Sequence, residues 1–276
     1  MPVADRHDLG MTIAMLGCGK LGEALLSGLL RAGHAADDIS VTDHPARMAE
    51  LADKHGVKAL EVGAAAAHGD VLLIAVKPQD MKALLAELAA HVDPQRHLVV
   101  SVAAGIPTTF IESKLPAETP VVRVMPNTPV LVDLGMSAIA TGGHATAAHL
   151  DAVEALLTPV SKVVRVPESQ LDAVTALSGS GPAYFFYLVE AMTDAGILLG
   201  LSRKVAADLI VQTALGAATM LRDSGEHPVQ LREAVTSPGG TTIAAIRELE
   251  QAGVRAAFLN AIEAAMRRSK ELAEGG

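Results

Sequence analysis

A single cysteine, Cys18, stands in a chain of 276 residues, which excludes an internal disulfide and any cysteine-rich metal site and suits a reducing compartment. The ten histidines show no metal-ligand spacing, so no metal is assigned. Tryptophan is absent and aromatic residues make up 2%, yet half of the residues are apolar. The core therefore has to be built from Ala, Val, Leu, Ile and Met, a composition that favours α/β and helical architecture. Basic runs are missing as well. With a net charge of −9 and Lys and Arg scattered singly, there is no positive stripe for a phosphodiester backbone, and nucleic acid is not an expected partner. No stretch of about 18 apolar residues is free of charges and turn formers, so no membrane span is expected. An export signal is not visible either: the first apolar run, 13–16, is short, and Asp5, Arg6, His7 and Asp8 precede it. Residues 1–10 read as a loose N-terminal extension, and the protein as cytoplasmic.

What is present is order of two kinds. Up to about residue 170, short β-branched runs alternate with Ala- and Leu-rich amphipathic stretches, the pattern of βα units on a parallel sheet. Strands are expected at 12–16, 39–42, 71–76, 98–102, 121–124, 137–140 and 163–166; continuous apolar runs such as 71–76 imply burial on both faces. Helices begin near Gly22, Pro45, Pro78 and Pro107, where Gly or Pro precedes apolar spacings of three and four. From Ser178 onward only helices are expected, at 182–199, 203–223, 228–235, 242–251 and 254–273. The boundary falls near Gln170, giving domains 11–170 and 171–276. The helix at 203–223 is apolar on nearly every face, with Val205, Leu209, Val211, Leu215 and Met220 among its residues. Such a helix needs burial all round, which the remaining helical chain is too short to give, so a second subunit is expected to cover it.

Five segments carry chemistry. Gly17-Cys18-Gly19-Lys20-Leu21-Gly22 lies directly after a strand pattern and opens a helix. The first glycine of such a run permits a tight turn, the second lets the backbone approach a pyrophosphate, and the third allows close helix packing, with the phosphates at the helix N-terminus. Asp43, after the second strand, is placed to accept hydrogen bonds from adenosine ribose hydroxyls and to repel a 2′-phosphate, whereas Arg47 is placed to pair with that phosphate. NADH and NADPH both stand, and Asp43 has the alternative role of capping the helix near Pro45. Ala75-Val76-Lys77-Pro78 and Ala103-Ala104-Gly105 follow the next two strands, at the ends where open α/β sheets bind ligands; Lys77 reads equally as a solvated loop charge. Downstream, 178–184 (Ser-Gly-Ser-Gly-Pro-Ala-Tyr) and 236–242 (Thr-Ser-Pro-Gly-Gly-Thr-Thr) each open a helix. Free N–H groups there suit a carboxylate, and simple capping by Ser and Thr is the alternative.

With Met125-Pro126-Asn127-Thr128-Pro129, these motifs stand in the order and spacing of the pyrroline-5-carboxylate reductases, which the chain resembles from about Thr12 to Leu272. The resemblance implies an N-terminal Rossmann-like dinucleotide-binding domain and an all-helical C-terminal dimerisation domain, hence a homodimer or a higher homo-oligomer of dimers. It implies NADPH or NADH as cofactor, pyrroline-5-carboxylate as a small-molecule substrate, and a pocket between the nicotinamide and the loop at 237–242. Gly17 to Gly22, Ala75 to Pro78, Ala103 to Gly105 and Asn127 then look like cofactor contacts. Ser237, Gly239, Gly240, Thr241 and Thr242 look like the substrate loop, Glu168 resembles a substrate-side residue, and Thr242 stands where the family places a hydroxyl beside the imine nitrogen. In one departure, Ala234 occupies a position where some members use Asn to touch the cofactor.

In the implied reaction a hydride passes to the imine carbon and positive charge on the ring nitrogen is lost, so placement and a carboxylate anchor matter more than a strong acid. The β-hydroxyacid dehydrogenases are a rival with a similar two-domain build. They need a lysine after a Ser-Gly-x-Gly run, where this chain has Phe185, and a phenyl ring cannot take a proton. A non-catalytic dinucleotide sensor is the remaining alternative.

Overall fold

Eight strands make one sheet: β1 (Ile13–Leu16), β2 (Ile39–Thr42), β3 (Lys58–Ala59), β4 (Val71–Ile74), β5 (Leu98–Ser101), β6 (Val121–Met125), β7 (Gly135–Thr141) and β8 (Ser161–Arg165). The computed structural model describes residues 10–274; apart from Gly10, the extension expected at the N-terminus lies outside them. Side chains of a strand alternate between faces. Here Ile13, Met15, Leu73 and Val100 enter one apolar cluster, while Ala14, Leu16, Leu72 and Val99 enter another. Both faces of the sheet are thus covered, as the continuous apolar runs require.

The strands lie in the order β3-β2-β1-β4-β5-β6-β7-β8, so the chain reverses its direction of winding between β1 and β4. A crevice outside the carboxyl ends of two such strands is where α/β sheets take ligands. Up to β6 every pairing is parallel. The parallel pattern then breaks: β6 and β7 pair antiparallel, and β8 follows β7 in parallel. A parallel crossover needs a dozen or more residues and usually a helix, whereas Met125 is joined to Gly135 by a short connection holding only the 3-10 turn Thr128–Val132. The brief β3 and the helices Val62–His68 and Ala147–Leu157 go beyond the elements expected from sequence. The alanine run at 64–67 is part of the first of these helices, with Ala65 and Ala66 fully buried.

The chain divides into two compact units, one running to Ser180 and taking in the chain from Ala265 onward, the other Gly181–Ala264. Leu171 is buried against Ala138 and Ala140, and the Ser269 hydroxyl donates to Asp172 at 2.7 Å, which places both segments with the sheet. The second unit is helical: Gly181–Leu198, Arg203–Ser224, Pro228–Ala234, Thr241–Gln251 and most of Val254–Glu274. Its first two helices meet where a Cβ on Gly196 would stand 2.7 Å from that of Ala206. Leu209, Val211, Leu215 and Met220 are each more than half exposed on the single chain. By length and composition alone the helix Arg203–Ser224 would also serve to cross a membrane.

Candidate active site

At the end of β1 the backbone turns at Gly17, where φ is +85° and a Cβ would come within 2.6 to 2.9 Å of Val76 and Ala75. Only glycine fits both the conformation and the space. Gly17 N–H donates to the Thr42 carbonyl at 2.8 Å, tying β1 to the end of β2. Gly22 packs just behind, a Cβ there reaching 3.0 Å from the Gly17 carbonyl, while nothing lies within 4 Å of one built on Gly19. Gly19 is the N-cap of the helix Lys20–Arg31, and no side chain caps it, so first-turn N–H groups face open space. Close backbone approach, uncapped donors and the positive end of a helix together fit a pyrophosphate.

The cleft in front of this turn measures about 560 Å³ and is lined by Gly17, Cys18, Gly19, Asp43, Ala75, Val76 and Lys77 from the expected set, a size ordinary for a small-molecule site. Thr42, His44, Glu61 and Val62 also line it, none of them singled out from sequence; Thr42 and His44 were within reach of inference as the neighbours of Asp43. Pro78 begins the turn after Lys77, Ala103, Ala104 and Gly105 follow β5, and Lys20 lines a neighbouring groove with Arg31 and Lys54. The Leu21 side chain packs on the apolar cluster rather than in the cleft. Cys18 offers only its backbone: its side chain is buried, and burial pushes the thiol up to about 12.

Asp43 does not cap the helix that follows; His44 holds the N-cap position of Pro45–His55. Its carboxylate instead accepts from the N–H of Cys18 and of His44, both at 2.7 Å. Arg47 turns back to the glycine loop, with Nε on the Cys18 carbonyl at 3.1 Å and its terminal nitrogens on Glu23 and, at 2.7 Å, on Glu50. Glu23 also meets Lys54 at 2.7 Å and His55 at 3.2 Å. Hydrogen bonds from Lys54, then Arg47, hold the Glu23 carboxyl down at about 2.

Asn127 and Glu168 are tied into the sheet unit. Asn127 accepts from Met136 N–H at 2.8 Å and donates to the Ser178 carbonyl at 3.1 Å. Glu168 accepts from the N–H and hydroxyl of Thr108 at 2.7 and 2.6 Å and pairs with buried Arg123 at 3.3 Å, so any further donor to Glu168 has to share these oxygens. The run at 178–184 opens the helix Gly181–Leu198 as expected, but not at a free end. A π-helical turn, Thr175–Gly179, leads into it, and Ser180 N–H is spent on the Thr175 carbonyl at 2.8 Å.

The second run also opens a helix. Gly239 has φ +68°, a conformation that glycine adopts without strain, and a Cβ on Gly240 would stand 2.5 Å from Ser237 Oγ. Gly240 is the N-cap of Thr241–Gln251, with no side-chain cap. Thr242 lies in the first turn, half-buried, and is not the cap. Among the described residues no three His, Cys, Asp or Glu gather so as to hold a metal ion.

Two family models match, one described as pyrroline-5-carboxylate reductase dimerisation over residues 168–272 and one as NADP oxidoreductase, coenzyme F420-dependent, over 12–105. The pyrroline-5-carboxylate reductase of Mycobacterium tuberculosis (strain CDC 1551 / Oshkosh) is 47% identical over 283 residues, spanning 94% of this chain and 96% of that protein. The chain belongs to the pyrroline-5-carboxylate reductase family. Solved structures agree: the reductase of Coxiella burnetii has a TM-score of 0.90 at 36% identity, covering 95% of this chain and 98% of that one. The Plasmodium falciparum pyrroline carboxylate reductase, solved with NADP bound, has 0.86 at 27%, with the same coverage. Within the family, the dimerisation model takes in every helix of the Gly181–Ala264 unit.

Proposed function

We propose that this protein reduces 1-pyrroline-5-carboxylate to L-proline with NADPH or NADH, the last step of proline biosynthesis, in the cytoplasm and as a homodimer or an oligomer of dimers. The observation that carries the reading is the joint presence of a glycine cradle at the switch of the sheet and the Ser237–Thr242 turn opening a helix, in a chain whose relatives of this name match nearly end to end. Residues 11–170 bind the dinucleotide and 171–276 serve assembly and substrate. The dinucleotide supplies the hydride. N–H groups at the uncapped start of Thr241–Gln251 anchor the substrate carboxylate, and the Thr242 hydroxyl pairs with the ring nitrogen as its charge is lost. Gly17 to Gly22 hold the pyrophosphate, with Ala75 to Pro78, Ala103 to Gly105 and Asn127 along the cofactor's path, while Glu168, which also holds the Thr108 turn, and Ser237 to Thr242 stand on the substrate side. Phe185 speaks against alcohol oxidation, having no proton-accepting atom. Mixing the protein with racemic pyrroline-5-carboxylate and either reduced nucleotide should give loss of nicotinamide absorbance. Turnover of a 3-hydroxy acid instead, or none with any substrate, would refute the proposal.

A further inference from the structure

Arg47 is the cation that a 2′-phosphate at the end of β2 would need, and the structure shows it already engaged. Its three guanidinium nitrogens face the Cys18 carbonyl, Glu23 and Glu50, and it does not line the cleft. Lys54, the next cation on the same helix, and the His55 ring converge on the same Glu23 carboxylate. The cleft lining meanwhile carries Asp43, Glu61, Asp80 and Glu87 against Lys77 and the exposed His44. A 2′-phosphate adds close to two negative charges, and here it would enter a cleft whose carboxylates outnumber its cations, beside an Arg47 and a Lys54 already paired with Glu23.

We infer that Glu23 acts as the counter-ion that withdraws Arg47 from the adenosine end of the cleft, and that this arrangement makes the protein prefer the unphosphorylated dinucleotide, NADH over NADPH. The inference rests on the dinucleotide-binding reading above. Glu23 belongs to the first turn of the helix that follows the glycine loop, so its place beside Arg47 is fixed by the same turn that forms the pyrophosphate cradle. The low proton affinity of Glu23 means that the carboxylate stays charged, and Arg47 stays held, throughout the working range of pH.

Binding of ADP-ribose and of 2′-phospho-ADP-ribose, measured by calorimetry on the intact protein without substrate, tests this apart from turnover. ADP-ribose should bind about tenfold more tightly at low salt, and the gap should narrow as ionic strength rises, since repulsion between exposed charges is screened within about 8 Å at physiological salt and about 3 Å at 1 M. Glu23→Gln keeps the shape and releases Arg47. It should tighten the phosphorylated ligand by about threefold or more and leave ADP-ribose within about twofold, a difference of the size that charge pairs at a surface produce. Arg47→Gln, made in the otherwise native chain, should leave the preference where it was. Equal or tighter binding of the phosphorylated ligand by the native protein overturns the inference while the reductase reading stands. So does a selective loss of that ligand in Arg47→Gln, or a folded Glu23→Gln with an unchanged ratio. Binding of neither ligand overturns the inference and the dinucleotide reading together.

Discussion

At the scale of single residues, Thr242 is the position where structure sharpens the chemistry. Gly240 holds the N-cap of its helix, so the Thr242 hydroxyl is not spent on capping, and removing it should cost the fold little. A hydrogen bond to a charged group is worth about 1.5–3 kcal/mol, so Thr242→Val should lower kcat/KM by roughly tenfold to a hundredfold. The melting temperature should move by less than about 2 °C, because a shift of 2–4 °C corresponds to roughly 1 kcal/mol in a chain of this size. Thr242→Ser restores the hydroxyl and should recover most of the rate. Wild-type kinetics in Thr242→Val would remove the residue from the reaction. Gly17 and Gly239 were legible from spacing alone, because each turn needs a residue at positive φ, which glycine adopts without strain. The engagements of Asp43, Arg47, Asn127 and Glu168 were not. Each depends on a partner brought in by folding: Cys18 N–H, Glu23, Met136 N–H and Thr108 respectively.

At the scale of elements, the helix Arg203–Ser224 poses a contradiction on a single chain. Leu209 is 56% exposed in the middle of a helix whose apolar residues go all the way round, and fully burying one leucine is worth about 1.5–3 kcal/mol. Leu and Glu have nearly equal helix propensity. If water bathes this face, Leu209→Glu is therefore neutral or improves solubility. If a second copy covers it, the same change buries an unpaired charge, and the assembled species should be lost from light scattering along with the activity. A fully assembled, active Leu209→Glu protein would show that this face is not the interface. The periodicities that mark this helix and the strands β1, β2, β4 and β5 survive in one dimension because packing on one or two faces selects residue type at every step. The reversal at β7 does not, since its seven residues look the same in either direction; the short connection ahead of it was the available clue. The helix Val62–His68 was missed because its alanines carry propensity but no amphipathic stripe.

At the scale of the whole molecule, the two compact units differ in how they are stabilised. The sheet unit has large, fully buried side chains on both faces of its strands, among them Ile13, Leu16, Leu73 and Ile74, while Ala206 and Thr193 are among the few buried side chains of the Gly181–Ala264 unit. A helical unit that leaves Leu198, Leu199, Phe185 and Tyr187 largely exposed on the single chain buries too little apolar surface of its own to offset the conformational entropy of ordering it. Association then supplies the missing burial, and stability becomes a function of protein concentration. For a dimer that unfolds as it dissociates, each tenfold dilution should remove about 1.4 kcal/mol, the free energy of a factor of ten. That corresponds to a fall of roughly 3–6 °C in melting temperature for domains of this size. The measurement is a series of melts from high micromolar to nanomolar protein, followed both by far-UV ellipticity and by the loss of activity. A melting temperature independent of concentration, with the helical signal intact at the lowest point, would mean that the Gly181–Ala264 helices stand without a partner and that the exposed apolar surface serves something other than self-association.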